Sequence, residues 1–245
     1  MPNRGLAQLT SCRYHDRTRV EQYSCAPLQW LGPLDPLAPR PVFFLRNPNG
    51  GLLEGDEHHL SLTIGAHTQI EIRSQSATRF HPGSSQQHLT ITLGEQSTLI
   101  WIPHPLIPGL DADIEQTVTV TMASGSRLAY AEIWTAGRIA MGEQWRFRRL
   151  HNRLTMTVDG QLRVAEQMHL SHPPQFSSVL GDYPCWGSLY LLGDWVGIPT
   201  PCTDNQWVVQ RPWGTIVRHV GHESLAIWQQ FTDIAGSLAS AQCQP

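Results

Sequence analysis

Two carboxylates stand where the neighbouring residues argue for burial, and a third, beside a glycine at the start of a strand, can point into a cavity. Asp56 follows Gly55 at the start of an alternating run. Glu132 lies in Leu128-Ala129-Tyr130-Ala131-Glu132-Ile133-Trp134, and Glu166 in Val164-Ala165-Glu166-Gln167-Met168. A carboxylate withdrawn from water needs a cation or hydrogen-bond donors, or its pKa rises. Pairing with Arg138, Arg163 or another Arg would satisfy Glu132 and Glu166. The other chemistry open to them is an interior polar path for a metal ion. Hard and borderline cations accept carboxylate and imidazole ligands transiently when no site is tight and complete.

The remaining inventory excludes more than it offers. All 17 basic residues are Arg. Without Lys there is no Walker A loop and no Schiff-base chemistry. A net charge of −3 argues against a general nucleic-acid binder. No G-x-S-x-G surrounds a serine nucleophile, and Ser84-Ser85 near His81 stand in a loop. The 12 His are scattered, without H-E-x-x-H or H-x-H. His58 and His59 are adjacent, so in a strand they point to opposite faces. Cys12, Cys25, Cys185, Cys202 and Cys243 form no C-x-x-C pair, and their odd number favours free thiols. No tight metal site and no tightly bound cofactor is expected. There is no run of 18 apolar residues to span a membrane, and an N-terminus without an apolar stretch predicts a cytoplasmic protein.

The elements that must hold these groups are legible in the middle of the chain. His59–Ile64 alternates apolar and polar residues up to Gly65, and Gln69–Arg73 alternates again. The phrase returns as His88–Leu93, Gly94, Thr98–Ile102, and then as Val118–Met122 with Gly125 in the turn. Leu60 to Leu89 is 29 residues, and Leu89 to Val118 another 29. A looser copy runs Leu154–Val158, Asp159-Gly160, Gln161–Leu170, with a hairpin signal at Asp-Gly. The fold predicted is all-β: a β-solenoid-like stack of strand-turn-strand units or an ordinary sandwich of stacked sheets. Leu60, Leu62, Ile64, Leu89, Ile91, Leu93, Val118 and Val120 should point inward. One domain over residues 1–245 is expected, with an irregular Pro-rich opening segment over 1–46. Residues 222–240 read as a C-terminal amphipathic helix, which packs on its own domain or docks into a partner's groove.

Two further segments carry signals. Asn47-Pro48-Asn49-Gly50-Gly51-Leu52-Leu53-Glu54-Gly55-Asp56 is glycine-dense, implying positive φ or close approach of another backbone. Arg146, Arg148, Arg149 and Arg153 form a basic cluster that either pairs with acids on a neighbouring strand or meets an acidic partner.

Several motifs together resemble the UreD/UreH family of urease accessory proteins. They are Pro27-Leu28, Asn47-Pro48-Asn49-Gly50-Gly51 through Gly55-Asp56, Gln75–Arg79, Leu99–Pro108, Glu132-Ile133-Trp134, Gly137-Arg138, Gly142-Glu143 and Ile216-Val217-Arg218. Arg79 stands where the family commonly has Lys, and Gly109 where it has an aromatic residue. The resemblance implies an all-β protein with a little helix and no catalysis of its own. It implies a scaffold or chaperone that binds apo-urease and a UreF-type accessory protein, which recruits the UreG-type GTPase. Nickel would pass transiently through an interior polar passage, which motif position assigns to Asp56, Thr78, Glu132 and Glu166. The alternative is a β-rich binding module, for example for carbohydrate, built on Trp186, Trp195, Trp207 and Trp213.

Overall fold

A computed structural model describes residues 3–171, 180, 182–197 and 204–241. In chain order the first strands are β1 (Arg4–Tyr14), β2 (Arg17–Cys25), β3 (Gln29–Leu31), β4 (Val42–Arg46), β5 (Gly51–Leu52) and β6 (Glu57–Ile64). Next come β7 (Gln69–Ser74), β8 (Thr78–Phe80), β9 (Gly83–Leu93), β10 (Thr98–Trp101), β11 (Leu106–Pro108) and β12 (Ala112–Met122). The last are β13 (Arg127–Thr135), β14 (Arg149–Val158), β15 (Gln161–Ser171), β16 (Cys185–Leu192), β17 (Gln206–Arg211) and β18 (Gly214–Gly221), followed by helix α1 (Ser224–Ala241).

Two sheets face each other. The first has the order β15-β14-β12-β9-β6-β1-β2, and the second runs β17-β18-β16-β13-β10-β7-β4-β3 with β5, β8 and β11 attached to it. The strands β6, β9, β12 and β14 pair in parallel, as do β4, β7, β10 and β13. Repeated pairs thus wind between two stacked sheets, so both expected descriptions contribute to the fold. Leu60 pairs with Leu89, and Leu89 with Val118, as the 29-residue period requires. All eight residues expected to point inward are buried.

The corners explain the winding. In Gly65–Thr68, Gly94–Ser97 and Ala123–Ser126, the last residue's hydroxyl donates to the first residue's carbonyl at 2.7, 2.7 and 2.6 Å. The third residue of each has positive φ: His67 at 59°, Gln96 at 55° and Gly125 at 67°. One left-handed residue in third place suits a type II turn, and here it carries the chain across to the other sheet. Asp159 and Gly160 both have positive φ, at 50° and 72°. That is the type I′ requirement, which returns a strand beside its predecessor. The fourth copy therefore departs from the others: β15 folds back antiparallel to β14 in the same sheet.

The opening segment 1–46 is not irregular, as its prolines led us to expect. It holds β1 to β4, and β1 lies parallel to β6, with Ala7, Leu9 and Ser11 buried against the interior. The helix packs on its own domain. Ile227, Phe231, Ala235, Leu238 and Ala239 are buried against Ala129, Ala131, Ile133, Leu189, Leu191 and Val217 on the outer face of the second sheet. Gly187 leaves room for it, since a Cβ there would stand 2.9 Å from the Phe231 ring. Burial of each large aliphatic or aromatic residue on that face contributes roughly 1.5–3 kcal/mol.

Candidate functional site

The inward-facing positions of several strands read apolar, polar, apolar. Ile114-Gln116-Val118, Leu150-Asn152-Leu154, Trp134-Glu132-Tyr130 and Trp186-Ser188-Tyr190 all follow this order. Because the strands are in register, the polar members line up. Gln87 pairs with His58 on one side and Gln116 on the other, and Gln116 pairs with Asn152. On the opposite sheet Glu132 pairs with Ser188, and Ser188 with Arg218. The result is a polar layer across the sandwich. On one side lies a large apolar cluster containing Leu60, Leu89, Val118, Leu154 and Tyr130. On the other lies a smaller one containing Leu52, Phe80, Ile114, Trp134 and Leu150.

Hydrogen bonds knit the layer together. Gln87 Nε2 donates to Gln116 Oε1 at 3.1 Å, and Gln116 Nε2 donates to Glu132 Oε1 at 2.9 Å and Asn152 Oδ1 at 3.2 Å. Asn152 Nδ2 donates to Glu132 Oε2 at 2.7 Å. The Tyr130 hydroxyl donates to Glu132 Oε1 at 3.4 Å. Farther along, the Tyr190 hydroxyl donates to Glu166 Oε2 at 3.0 Å, and Arg218 bridges Glu166 and Ser188. Glu132 is 5% exposed, and among the described residues its hydrogen-bond donors are the neutral Gln116, Asn152 and Tyr130. Burial pushes its pKa up to about 7 against the three amide and hydroxyl donors, and the Glu166 charge adds to the rise. Burial also holds the Tyr130 and Tyr190 phenols well above their usual range, so both stay protonated donors.

A cavity lies at each flank. One of about 70 Å³ is lined by Asn47, Gly50, Thr78, His58, Gln87, Gln116 and Tyr130 among others. One of about 250 Å³ is lined by Glu132, Asn152, Glu166, Ser188, Tyr190 and Arg218 among others. A water needs roughly 10–15 Å³ on this measure, so each is large enough for several. The two are separated by the Gln116–Glu132–Asn152 contacts. His58 is 1% exposed, and among the described residues its Nε2 has no hydrogen-bond partner. Burial lowers its pKa to about 4, with His59 acting in the same sense and Asp56 opposing, so the imidazole is neutral near pH 7. A neutral imidazole beside the first cavity and two carboxylates in the second are groups able to hold a divalent cation weakly.

The four residues assigned to a passage fall in three places. Glu132 and Glu166 share one cavity, and Thr78 lines the other. Asp56 lines neither. Buried at 2% exposure, it accepts the Asn3 amide at 3.0 Å and the Leu53 amide at 2.9 Å. The cation expected for Glu166 is Arg218 rather than Arg138 or Arg163, and Glu132 is served by amides instead of an Arg. Arg138 pairs with Glu143 at 3.4 Å across a 3₁₀ turn that Gly142 ends at a φ of 69°. The residues that sequence reasoning missed are His58, Gln87, Gln116 and Asn152. Their signal was positional: each stands two residues before Leu60, Leu89, Val118 or Leu154, the same place in every copy.

The glycine-dense loop supports the first cavity. Asn47 Nδ2 donates to the Gly51 carbonyl at 2.7 Å, and the Asn49 amide donates to Asn47 Oδ1 at 2.9 Å. A Cβ at Gly51 would lie 1.9 Å from the Arg79 carbonyl. Gly51→Ala should therefore force β5 off β8 and cost about 1–3 kcal/mol, the usual range for overpacking. Chemical denaturation checks this, and an unchanged midpoint would contradict it.

Other expected features have simpler roles. Arg148 and Arg149 pair with Asp113 at 3.3 and 2.7 Å, and Arg153 pairs with Glu115 at 3.4 Å, so this part of the basic cluster neutralises acids on β12. Cys12, Cys25 and Cys185 are free thiols, while Cys202 and Cys243 lie outside the described residues. Trp195 is buried and donates to the Leu128 and Leu192 carbonyls. Trp186 stacks on Trp145 and Trp213 packs on the core, leaving Trp207 half exposed. Trp186 and Trp207 line one cavity of about 450 Å³ together with Tyr183, and Trp195 and Trp213 are not part of its lining. Among the described residues, no helix is long and apolar enough to cross a membrane.

Comparison with known proteins agrees with the motifs. The family model for the UreD urease accessory protein matches residues 3–245. Urease accessory protein UreD 2 of Synechococcus sp. strain JA-3-3Ab is 46% identical over 261 residues, covering 97% of this chain and 96% of that protein. UreD of Synechococcus sp. strain JA-2-3B'a(2-13) is 45% identical over 264 residues, covering 98% and 97%. UreH of Helicobacter pylori strain P12 is 31% identical over 142 residues, covering 57% of this chain and 54% of that protein. A match over nearly the whole chain, to relatives of nearly equal length, places this protein in the UreD family of urease accessory proteins.

Proposed function

We propose that this protein is a non-catalytic scaffold of urease maturation. It binds apo-urease and a UreF-type accessory protein, and through the latter the UreG-type GTPase. It conveys nickel towards the urease active site along the polar layer. The observation that carries the reading is the pair of cavities flanking the Gln116–Glu132–Asn152 contacts, in a polar layer between two apolar clusters. Such a layer is costly to bury unless every group is paired or used. Conveyance needs weak binding at several points so that the ion can leave. Scattered carboxylates, amides and one neutral imidazole meet that need better than a closed ligand cage.

The test is Glu132→Gln combined with Glu166→Gln in cells or a reconstituted system with urease and its accessory proteins. Complex assembly, read by co-purification, should be unchanged, while nickel per urease active site should fall several-fold. Normal nickel loading in the double variant would remove the conveyance. A wild-type protein that captures neither urease subunits nor a UreF-type protein would remove the scaffold role.

A further inference from the structure

The outer face of the first sheet carries a second set of metal-ligating groups. His59 on β6 and His88 on β9 are directly paired in the parallel register, and Glu57 lies two residues before His59 on the same face. One ligand atom from each of the three lies within 4.8 Å of the other two. All three residues are partly buried. The two imidazole rings stack at 4.9 Å and 22°. His59 Nε2 sits 2.6 Å from Glu57 Oε1, and Arg4 Nε holds the other carboxylate oxygen at 3.3 Å.

From this geometry we infer that Glu57, His59 and His88 form a surface site for a late first-row divalent cation such as Zn²⁺ or Ni²⁺. Bonds from such an ion to nitrogen and oxygen are about 2.0–2.2 Å, so its ligand atoms stand about 3–4 Å apart. Small side-chain rotations close the triad to that span. Between His59 and Glu57 the ion replaces the proton of the existing hydrogen bond: a neutral imidazole then carries its proton on Nδ1, and an imidazolium gives up one proton to solvent. Two imidazoles and one carboxylate favour zinc, nickel or copper over calcium or magnesium. Arg4 acts from outside as the group that orients the carboxylate. Water completes the coordination, because three protein ligands leave positions open.

The site goes beyond the interior layer and is independent of it. Side chains alternate along β6, so His58 points inward to the first cavity while Glu57 and His59 point outward.

The test titrates the full-length protein with Zn²⁺, and separately Ni²⁺, by calorimetry. Wild type, His59→Ala/His88→Ala and Glu132→Gln/Glu166→Gln are compared. The wild type and the interior double variant should bind an ion at this site, and the histidine double variant should lose that affinity by about tenfold or more. Removing even an outer-shell partner typically costs about 10–100-fold. Ring-nitrogen resonances of His59 and His88 should broaden on adding paramagnetic Ni²⁺. Unchanged binding by the histidine double variant, or no metal-dependent change at either ring in the wild type, would overturn the site. His88→Gln, which keeps a polar side chain of similar reach, guards against loss by misfolding. It should weaken binding while leaving the melting temperature at the wild-type value, and wild-type affinity in this variant would count against the inference. Failure of nickel conveyance to urease leaves these outcomes untouched, so the two ideas are separable.

Discussion

Asp56→Ala should destabilise the protein by about 3 kcal/mol, because this carboxylate is committed to holding the N-terminal strand. Its Oδ1 accepts the Asn3 amide and its Oδ2 the Leu53 amide, while the Glu57 amide donates to the Asn3 carbonyl at 3.0 Å. Residues 56 and 57 therefore grip Asn3 from both sides just where β1 joins β6. A hydrogen bond to a charged acceptor contributes about 1.5–3 kcal/mol. Removing the charge also returns part of its own burial cost, which is why the net falls below the sum of two such bonds. Asp56→Asn keeps one acceptor oxygen and should lose about half as much. Urea unfolding with an unchanged slope and a lower midpoint checks the prediction. A midpoint within about 0.5 kcal/mol of wild type would mean that Asp56 does not hold the strand. The result also decides how Asp56 variants should be read in maturation assays. A loss of nickel loading in Asp56→Ala follows from a loosened β1–β6 junction, whereas Glu132 and Glu166 report on the cavity itself.

The repeat was legible because its signal lies in residue types that bury well. Leu60, Leu89 and Val118 recur at fixed spacing, and that spacing became the register of three parallel strands. Strand β1 was not legible. Its inward positions are Gly5, Ala7, Leu9 and Ser11, of which Leu9 alone carries strong apolar contrast. Gly5 is small for a reason the sequence hides: a Cβ there would stand 2.7 Å from the His58 ring. The candidate site was half legible. Glu132 and Glu166 stood out as charges in apolar strands, but Gln87, Gln116 and Asn152 lie just ahead of the alternating runs legible in the sequence, which begin at His88, Val118 and Leu154. Alternation carried back from Leu89, Val118 and Leu154 puts these amides on the inward face, and the pairing of neighbours shows that they meet. Their shared place in the repeat was the available clue, and using it requires trusting the period enough to ask what each copy puts at each position. Asp56 was read as a carboxylate able to point into a cavity; it is buried but lines neither cavity, and its partners were not legible. They are backbone amides, which no residue type announces.

Glu132→Gln should change how stability depends on pH, by up to about 3–4 kcal/mol. The folded pKa of Glu132 is raised to about 7 from 4.5. Between those values the folded protein keeps a proton that the unfolded chain has released, so this group's contribution is complete below pH 4.5 and is lost as pH rises through 7. At about 1.4 kcal/mol per pKa unit the full loss is about 3–4 kcal/mol at most. His58 works in the opposite sense. Its folded pKa is lowered to about 4 from 6.5, so its contribution is present above pH 6.5 and is lost as pH falls through 4. The two slopes offset each other between pH 4.5 and 6.5, which leaves wild-type stability nearly flat there as far as these two groups decide it. Glutamine stands in for the neutral acid and removes only the Glu132 slope. The stability difference between Glu132→Gln and wild type should therefore grow in favour of the variant as pH rises from 4.5 to about 8 and then level off. Denaturation midpoints at a series of pH values measure that difference directly, with His58 cancelling between the two proteins. A difference that does not vary with pH would show that Glu132 ionises as an ordinary carboxylate, and the buried amides around it would then be shielding a charge rather than a proton.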